Sequence, residues 1–326
     1  MSAASHEPTH SAAWFRVGPA FAGFRLDQFL QRMIPKLSRN RIQLAIRARV
    51  RLSWEAPVKP STPVRVGEIV YIDDPRLAEE ERPFDPQVLY EDDDLLAIDK
   101  PAGWVVHPTH HYRSNTVISM LRRSRGEPAL TLAHRLDAET TGVLLLGRHR
   151  WAARRLQTAF ERGQVRKKYL ALVAGRVERD RFTADWPLGP FSRDQFVFRQ
   201  APESSVAKPA ETRFELVERR ESSSLVLAEP VTGRRHQIRA HLALCGHPVL
   251  GDKLYTLDDG DYAAFLRTGR LDPALRAKLR ADRSMLHSTL LALEHPRRRE
   301  HEITIRAPAP KDFVDHFGGL PERVTR

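Results

Sequence analysis

The chain has 326 residues, 41% of them apolar, which is enough for one large folded domain and a small appended one. Its single cysteine, Cys245, excludes an intrachain disulfide framework and fits a reducing, cytoplasmic setting. The 53 Lys and Arg outnumber 41 Asp and Glu, giving a net charge of +12 and a pI near 10.2, the electrostatic footprint of a polyanion binder.

No apolar run is long enough to cross a bilayer. The opening residues, MSAASHEPTHSAAW, lack the basic start and apolar stretch of a signal peptide. Residues 1–20 read as a flexible tail. Residues 21–75 read as a separate module. In LDQFLQRMIP, the residues Leu26, Phe29, Leu30 and Met33 fall at helical spacing until Pro35 stops the pattern. Ser38 is placed to cap a second helix, in which Ile42, Ala45 and Ile46 share a face and Arg39, Arg41, Arg47 and Arg49 stay exposed. Two strand-like pieces follow, VRLSW and PVRVGEIVYID. Two short helices feeding a small sheet, with arginines along the second helix, suit contact with a folded RNA, and the layout resembles an S4 RNA-binding domain.

An acidic, proline-bearing stretch over residues 76–87 reads as a linker, and residues 88–326 as the second domain. VLYEDDDLLAIDKPAGWVVHP has the pattern strand, turn, strand, with the turn at Lys100–Gly103. GVLLLGR is a buried-strand pattern. The following segment, RHRWAARRLQTAFERG, is an amphipathic helix with Ala152, Leu156, Ala159 and Phe160 on one side and Gly163 at its end. KYLALVAG, ETRFELVER, SLVLAEPV, MLHSTLLALEHP and HEITIRAP read as further strands, and RRHQIRAHLALCG as a second helix. Strands outnumber helices without regular alternation. That argues for an α+β domain around a mixed, mainly antiparallel sheet rather than a doubly wound parallel one.

The segment densest in reactive side chains is LAHRLDAETTGVLLLGR, residues 132–148. A polar loop carrying His134, Arg135, Asp137, Glu139 and two threonines runs straight into an apolar strand, a place where a rigid scaffold presents reactive groups. An isolated loop aspartate would by itself read as a local cap.

HRLDAETTG resembles the signature HRLD-x-x-[TS]-[SG] of the RluA family of pseudouridine synthases. RKKYLALVAG (residues 166–175) and TGRRHQIRAHLALCGHPVLGDKLY (residues 232–255) resemble the family's second and third segments. DKPAGWVVHP and LHSTLLALEHP match further landmarks, in the family's order. Two positions depart from the pattern: Thr141 stands where serine is common, and Arg235 where a small hydroxylated residue is usual.

The resemblance implies an α+β pseudouridine synthase domain behind an S4-like module, isomerising uridine in structured RNA without a cofactor or metal. It marks Asp137 as nucleophile and Arg239 as its charge partner. Tyr169 would stack on the flipped base, and Arg135 would move into the vacated place. Burial would blunt a carboxylate by raising its pKa, and a guanidinium, able to grip it in a two-bond fork, reverses that. Attack at C1′ of the ribose and attack at C6 of the base both remain open. Arg39, Arg41 and Arg47 would contact RNA. Large-subunit ribosomal RNA is the preferred substrate and transfer RNA the second, with the chain acting as a monomer.

His236 and His241 are five residues apart, about 140° around a helix, and so do not form the one-face pair of a zinc protease. His107, His110 and His111 lack a partner cluster of cysteines or carboxylates. Two competing readings stay in view: a non-catalytic RNA-binding assembly factor, and a nucleic-acid glycosidase using the same aspartate.

Overall fold

The computed structural model describes residues 13–34, 39–53, 58–72, 83–108, 115–191, 199–268, 270–298 and 300–321. The chain divides into two compact units, the first running to Pro83 and taking in His107–Thr116, the second holding the rest.

In the first unit, strand β1 (Ala13–Arg16), helices α1 (Leu26–Met33) and α2 (Arg39–Arg49), and strands β2 (Val50–Leu52) and β3 (Ile69–Ile72) form a sheet of order β1-β3-β2 behind two helices. The helical spacing of the sequence is matched by burial: Leu26, Phe29, Leu30, Ile42 and Ile46 are buried in one core with Val70 and Ile72. Part of the tail expected over residues 1–20 is a strand, and residues 1–12 lie outside the described residues. Ala13–Arg16 pairs with Ile69–Ile72 because Phe15 and Val17 alternate into this core, and that pairing fixes the strand. Pro35 and Ser38 lie outside the described residues, as do residues 76–82 of the expected linker. The second unit opens at Phe84 rather than Val88, since Phe84 packs on Trp104 with ring centres 4.6 Å apart and the Gln87 carbonyl accepts the N–H of Asp99.

The second unit is built on one ten-stranded sheet. Its strands are β4 (Val88–Glu91), β5 (Leu95–Lys100), β6 (Thr131–Leu132), β7 (Thr141–Gly147), β8 (Arg166–Ala174), β9 (Arg181–Ala184), β12 (Thr212–Arg219), β13 (Ser223–Pro230), β14 (Leu286–Glu294) and β15 (Glu302–Arg306), while β10 (Gly189–Phe191) and β11 (Arg199–Ala201) make a separate hairpin. The order is β4-β5-β7-β14-β8-β13-β12-β9, with β6 on β7 and β15 on β14. Every described pairing is antiparallel except β7 with β14, where His287 and Ser288 sit opposite Thr141 and Gly142. This is the mixed, mainly antiparallel α+β sheet expected from the pattern.

Both faces are covered. Leu96, Ile98, Leu144 and Leu146 point into one core, and Leu95, Ala97, Val143 and Leu145 into another, which explains the unbroken apolar run of β7. The helices are α3 (Val117–Arg125), α4 (Arg150–Glu161), α5 (Gln237–Leu244), α6 (Lys253–Thr256), α7 (Asp259–Thr268), α8 (Pro273–Leu279) and α9 (Lys311–Phe317). No helix among the described residues is long and apolar enough to cross a membrane.

Two expectations change in detail. The segment VLYEDDDLLAIDK is a hairpin, turning at Asp92–Asp94, where the Asp92 carboxylate accepts the N–H groups of Asp94 and Leu95. WVVHP is not a strand: the carbonyls of Val105 and Val106 accept the N–H groups of Val117 and Ile118, serving the start of α3.

Candidate active site

The loop between β6 and β7, residues 133–140, carries Asp137 and is anchored along its whole length. His134 stacks on Phe160 of α4, and its Nε2 accepts the N–H of Leu145 at 3.0 Å. Burial, with Lys167 adding to it, pushes His134 down to about 3, so it stays neutral and able to accept that bond. Past Asp137, the Ala138 carbonyl accepts from the Gly103 N–H at 2.8 Å and from Lys100 Nζ at 2.9 Å. Gly103 does this from a left-handed turn, φ 82°, at the turn expected over Lys100–Gly103.

Glu139 faces the other way. Its carboxylate accepts from Lys253 Nζ at 2.5 Å and from the Ser284 N–H at 2.8 Å. Thr141, the first residue of β7, donates its hydroxyl to His287 Nδ1 at 2.9 Å, since His287 Nε2 faces the Ala307 carbonyl at 3.2 Å and must carry the proton. The hydroxyl kept by the Thr141 departure is therefore used. Gly142, next along, passes so close to β14 that a Cβ would stand 2.2 Å from the Ser288 carbonyl oxygen.

Asp137 lines a cleft of about 510 Å³ together with Arg135, Lys167, Tyr169, Arg235, His236 and Arg239. The sequence separation of 102 residues between Asp137 and Arg239 closes to a hydrogen bond: Nη1 of Arg239 reaches Oδ2 of Asp137 at 2.6 Å. The two-bond fork, however, goes elsewhere. Nε and Nη2 of Arg239 bond Oδ2 and Oδ1 of Asp252 at 2.5 and 2.8 Å. Arg239 thus bridges two carboxylates, and the grip it was expected to give Asp137 is a single bond.

Burial alone would push the Asp137 carboxyl up, but the charge of Arg239 and its hydrogen bond, with the charge of Arg135 beyond, outweigh that and hold it below the usual carboxylate range. At neutral pH it is an anion, with 24% of its side-chain surface still open to the cleft.

Tyr169 lies on β8 opposite Ser288 and Ala228 and is 9% exposed, its ring packed into the core and lining the cleft. Burial pushes its phenol up to about 12, so it keeps its proton at neutral pH. Arg135 is exposed at the cleft, where its charge acts on Asp137. Arg235 is also exposed there and adds positive charge near His236. Arg39 and Arg47 are exposed on α2 in the first unit, Arg39 within 4.0 Å of Asp27, while the side chain of Arg41 lies outside the described residues.

Four site residues escape sequence reasoning. Asp252 caps α6, accepting the N–H groups of Leu254 and Tyr255, and is fully buried. His236, which the spacing argument sets aside as a metal ligand, sits at φ 53° before α5 with Nε2 3.8 Å from Asp137 Oδ1. Burial pushes it down to about 4, so it is neutral at physiological pH and the contact is not an ion pair. Lys100 and Lys167 are the other two, both buried lysines lowered by desolvation. The useful signal for Asp252 is its place in GDKLY, inside the third matching segment.

Among the described residues, the group best spaced for a metal is Asp92, Asp94 and His295. Its donors are already engaged. His295 Nδ1 accepts the N–H groups of Arg297 and Arg298, so Nε2 carries a proton and donates to Asp92 at 2.8 Å. Asp94 accepts a two-bond fork from Arg297. These residues make a hydrogen-bonded hub, not a cage of free lone pairs. His110 and His111 lie outside the described residues.

The cleft therefore holds an ionised carboxylate, a guanidinium shared between it and a second acid, a protonated phenol beside it and an exposed arginine at the rim. A family model described as RNA pseudouridylate synthase matches residues 94–244. The chain is 31% identical over 302 residues to the ribosomal large subunit pseudouridine synthase D of Vibrio parahaemolyticus, covering 90% of this chain and 89% of that protein. It is 32% identical over 313 residues to synthase C of the same organism, covering 92% and 93%. Among solved structures, human RNA pseudouridylate synthase domain containing 1 is similar, with a TM-score of 0.54 at 27% identity, covering 71% of this chain and 87% of that one. Likeness over nearly the full length of both chains, in a fold whose β6–β7 loop and helix α5 bring Asp137 and Arg239 to one cleft, establishes kinship: the chain belongs to the RNA pseudouridine synthase family.

Proposed function

We propose that this enzyme isomerises uridine in large-subunit ribosomal RNA, with Asp137 as its nucleophile. The observation that carries the catalytic part is the 2.6 Å bond from Arg239 to an ionised Asp137 open to the cleft. The substrate is taken from the relatives named ribosomal large subunit pseudouridine synthases C and D.

In the reaction the N1–C1′ bond breaks, the base turns and a C5–C1′ bond forms. The hydrogen on C5 leaves as a proton and N1 gains one, so the step needs no oxidant or outside reagent. A carboxylate adds covalently at either C1′ or C6 and is released at the end. Arg239 keeps it ionised. Arg135 fills the place of the extruded nucleotide, a step that costs a few kcal/mol. Tyr169, held neutral, stacks on the extruded base, a contact worth about 1–3 kcal/mol. The first unit acts as an S4-like RNA grip through Arg39, Arg41 and Arg47, reading phosphates and shape more than sequence. The proposal includes a monomer acting in the cytoplasm, a setting that the single Cys245 fits.

Asp137→Asn tests the reading. On ribosomal RNA the variant should make no pseudouridine while its RNA affinity stays within a few-fold of wild type. An active Asp137→Asn ends the nucleophile assignment. Free uracil released by the wild type would mark a glycosidase instead.

A further inference from the structure

We infer that the outer face of α4 is a further contact for the substrate RNA, in which Trp151 stacks an unpaired base and Arg150, Arg154 and Arg155 hold the phosphates around it. This rests on the reading of the protein as an enzyme acting on RNA and extends it away from the catalytic residues.

Trp151 is 43% exposed, although tryptophan normally buries most of its large surface. Its neighbours hold it in place. The His149 ring stacks on it with centres 6.0 Å apart, and the guanidinium groups of Arg297 and Arg155 lie over it at 5.1 and 5.6 Å. His149 and Arg297 are themselves tied to Asp94, a buried carboxylate in the β4–β5 turn. His149 Nε2 is 2.8 Å from it, and Arg297 closes a two-bond fork on it at 2.6 and 2.7 Å. The indole is thus braced from two other segments and still open to solvent. An aromatic surface already held in one orientation accepts a base at little cost in side-chain freedom.

The charge around it has the sign that RNA needs. Arg150, Arg154 and Arg155 are exposed beside Trp151, at helical steps of three and four. The ion pairs described next to the helix join Arg125 and Arg148 to Glu91 and Glu127, and Arg297 to Asp94. The three helix arginines take no part in these.

The same helix leads to the cleft. Arg150, Arg154, Gln157 and Glu161 recur at steps of four, three and four along one face, and Gln157 and Glu161 line the catalytic cleft. Trp151 and Glu161 stand about 15 Å apart along the helix axis. The base on Trp151 is therefore neither the extruded uridine nor its neighbour, but one further along the same RNA.

The test uses the full-length protein, a large-subunit ribosomal RNA transcript, a single-stranded RNA oligonucleotide and an RNA duplex of the same length. Trp151→Ala should weaken binding of the transcript and the single strand roughly five- to a hundredfold, and leave the duplex within about twofold. Trp151→Phe, which keeps a ring, should retain most of the affinity. Trp151→Leu, which keeps only apolar bulk, should not. Single-turnover rates at saturating transcript should match wild type in all three. Arg154→Gln should weaken single strand and duplex alike and flatten the salt dependence by about 0.7–0.9 in log–log slope.

A tryptophan that only covers Asp94 predicts a lower melting temperature with RNA affinity unchanged, or an equal loss for all three RNAs. Either result overturns the inference, and so does a Trp151→Leu variant that binds as tightly as wild type. If the Trp151 variants fail to fold, Arg154→Gln decides alone, and unchanged affinity and salt slope overturn it. Loss of poly-glutamate binding with RNA affinity intact would give the face to an acidic protein, which overturns it too. A wild type that binds RNA here but makes no pseudouridine would defeat the reaction assigned to Asp137 and leave this contact standing.

Discussion

The ammonium of Lys100 donates to the Ala138 carbonyl at 2.9 Å, one residue from Asp137, from a side chain with no exposure to solvent. Its second bond goes to the Pro101 carbonyl at 2.8 Å. Burial pushes Lys100 from 10.5 down to about 7, against the upward pull of Asp137. Between those two values the unfolded chain binds more protons than the folded one, so this group makes stability rise with pH across that window. Below about pH 7 the cost of burying its charge is complete; above the unfolded value it is gone. Lys100→Met should remove the rise. Thermal melts from about pH 7 to 10 should show wild type gaining on the variant, and parallel curves would refute the assignment. The variant should also lose roughly ten- to a hundredfold in kcat as the Asp137 loop loosens.

Gly142 adopts φ 103° with its α-carbon against the β14 backbone. Gly142→Ala faces both a backbone region closed to most side chains and a Cβ 2.2 Å from the Ser288 oxygen. We expect destabilisation above about 3 kcal/mol, read by denaturant titration. A loss below about 1 kcal/mol would mean that β7 and β14 can part without consequence.

Glu139→Gln removes the charge that holds Lys253 while keeping an oxygen for the Ser284 N–H. Glu139 is about a third exposed, so solvent weakens the pair, and a stability loss of about 1 kcal/mol is expected. The larger effect should be on kcat, with RNA affinity preserved, because the carboxylate pins the far side of the loop carrying Asp137. A variant with wild-type kcat would show that this anchor is redundant.

The first unit has a core of its own, drawn from Phe15 through Ile72. Deleting residues 1–83 should leave the ten-stranded sheet folded, as judged by circular dichroism. RNA binding should weaken and its salt dependence flatten, by about 0.7–0.9 in log–log slope for each phosphate the protein no longer neutralises. Unchanged affinity and slope would remove the first unit from RNA binding.

Much of this is legible in the chain because local pattern and burial agree. The apolar run of β7 reads as a strand, and it is buried on both faces. The spacing of Leu26, Phe29 and Leu30 reads as a helix, and all three are buried. The Asp137–Arg239 pair follows from the motifs alone and closes at 2.6 Å. What stays hidden are relations between distant segments. Glu139 and Lys253 are 114 residues apart, and nothing in either local sequence pairs them. Asp252 reads as a loop acid until the fork of Arg239 is placed on it. The hairpin at Asp92–Asp94 is hard to see because three acids between apolar runs carry no glycine or asparagine to mark the turn.

The parallel seam between β7 and β14 ties together stretches 146 positions apart, Thr141 to His287. Such distant pairing is slow to form and must await synthesis of its later half. A nascent chain emerging from the ribosome would display its HRLD turn long before the strand that shores it up exists. Competence therefore arrives late in translation, and prematurely terminated products should be catalytically silent even when they carry every residue of that turn.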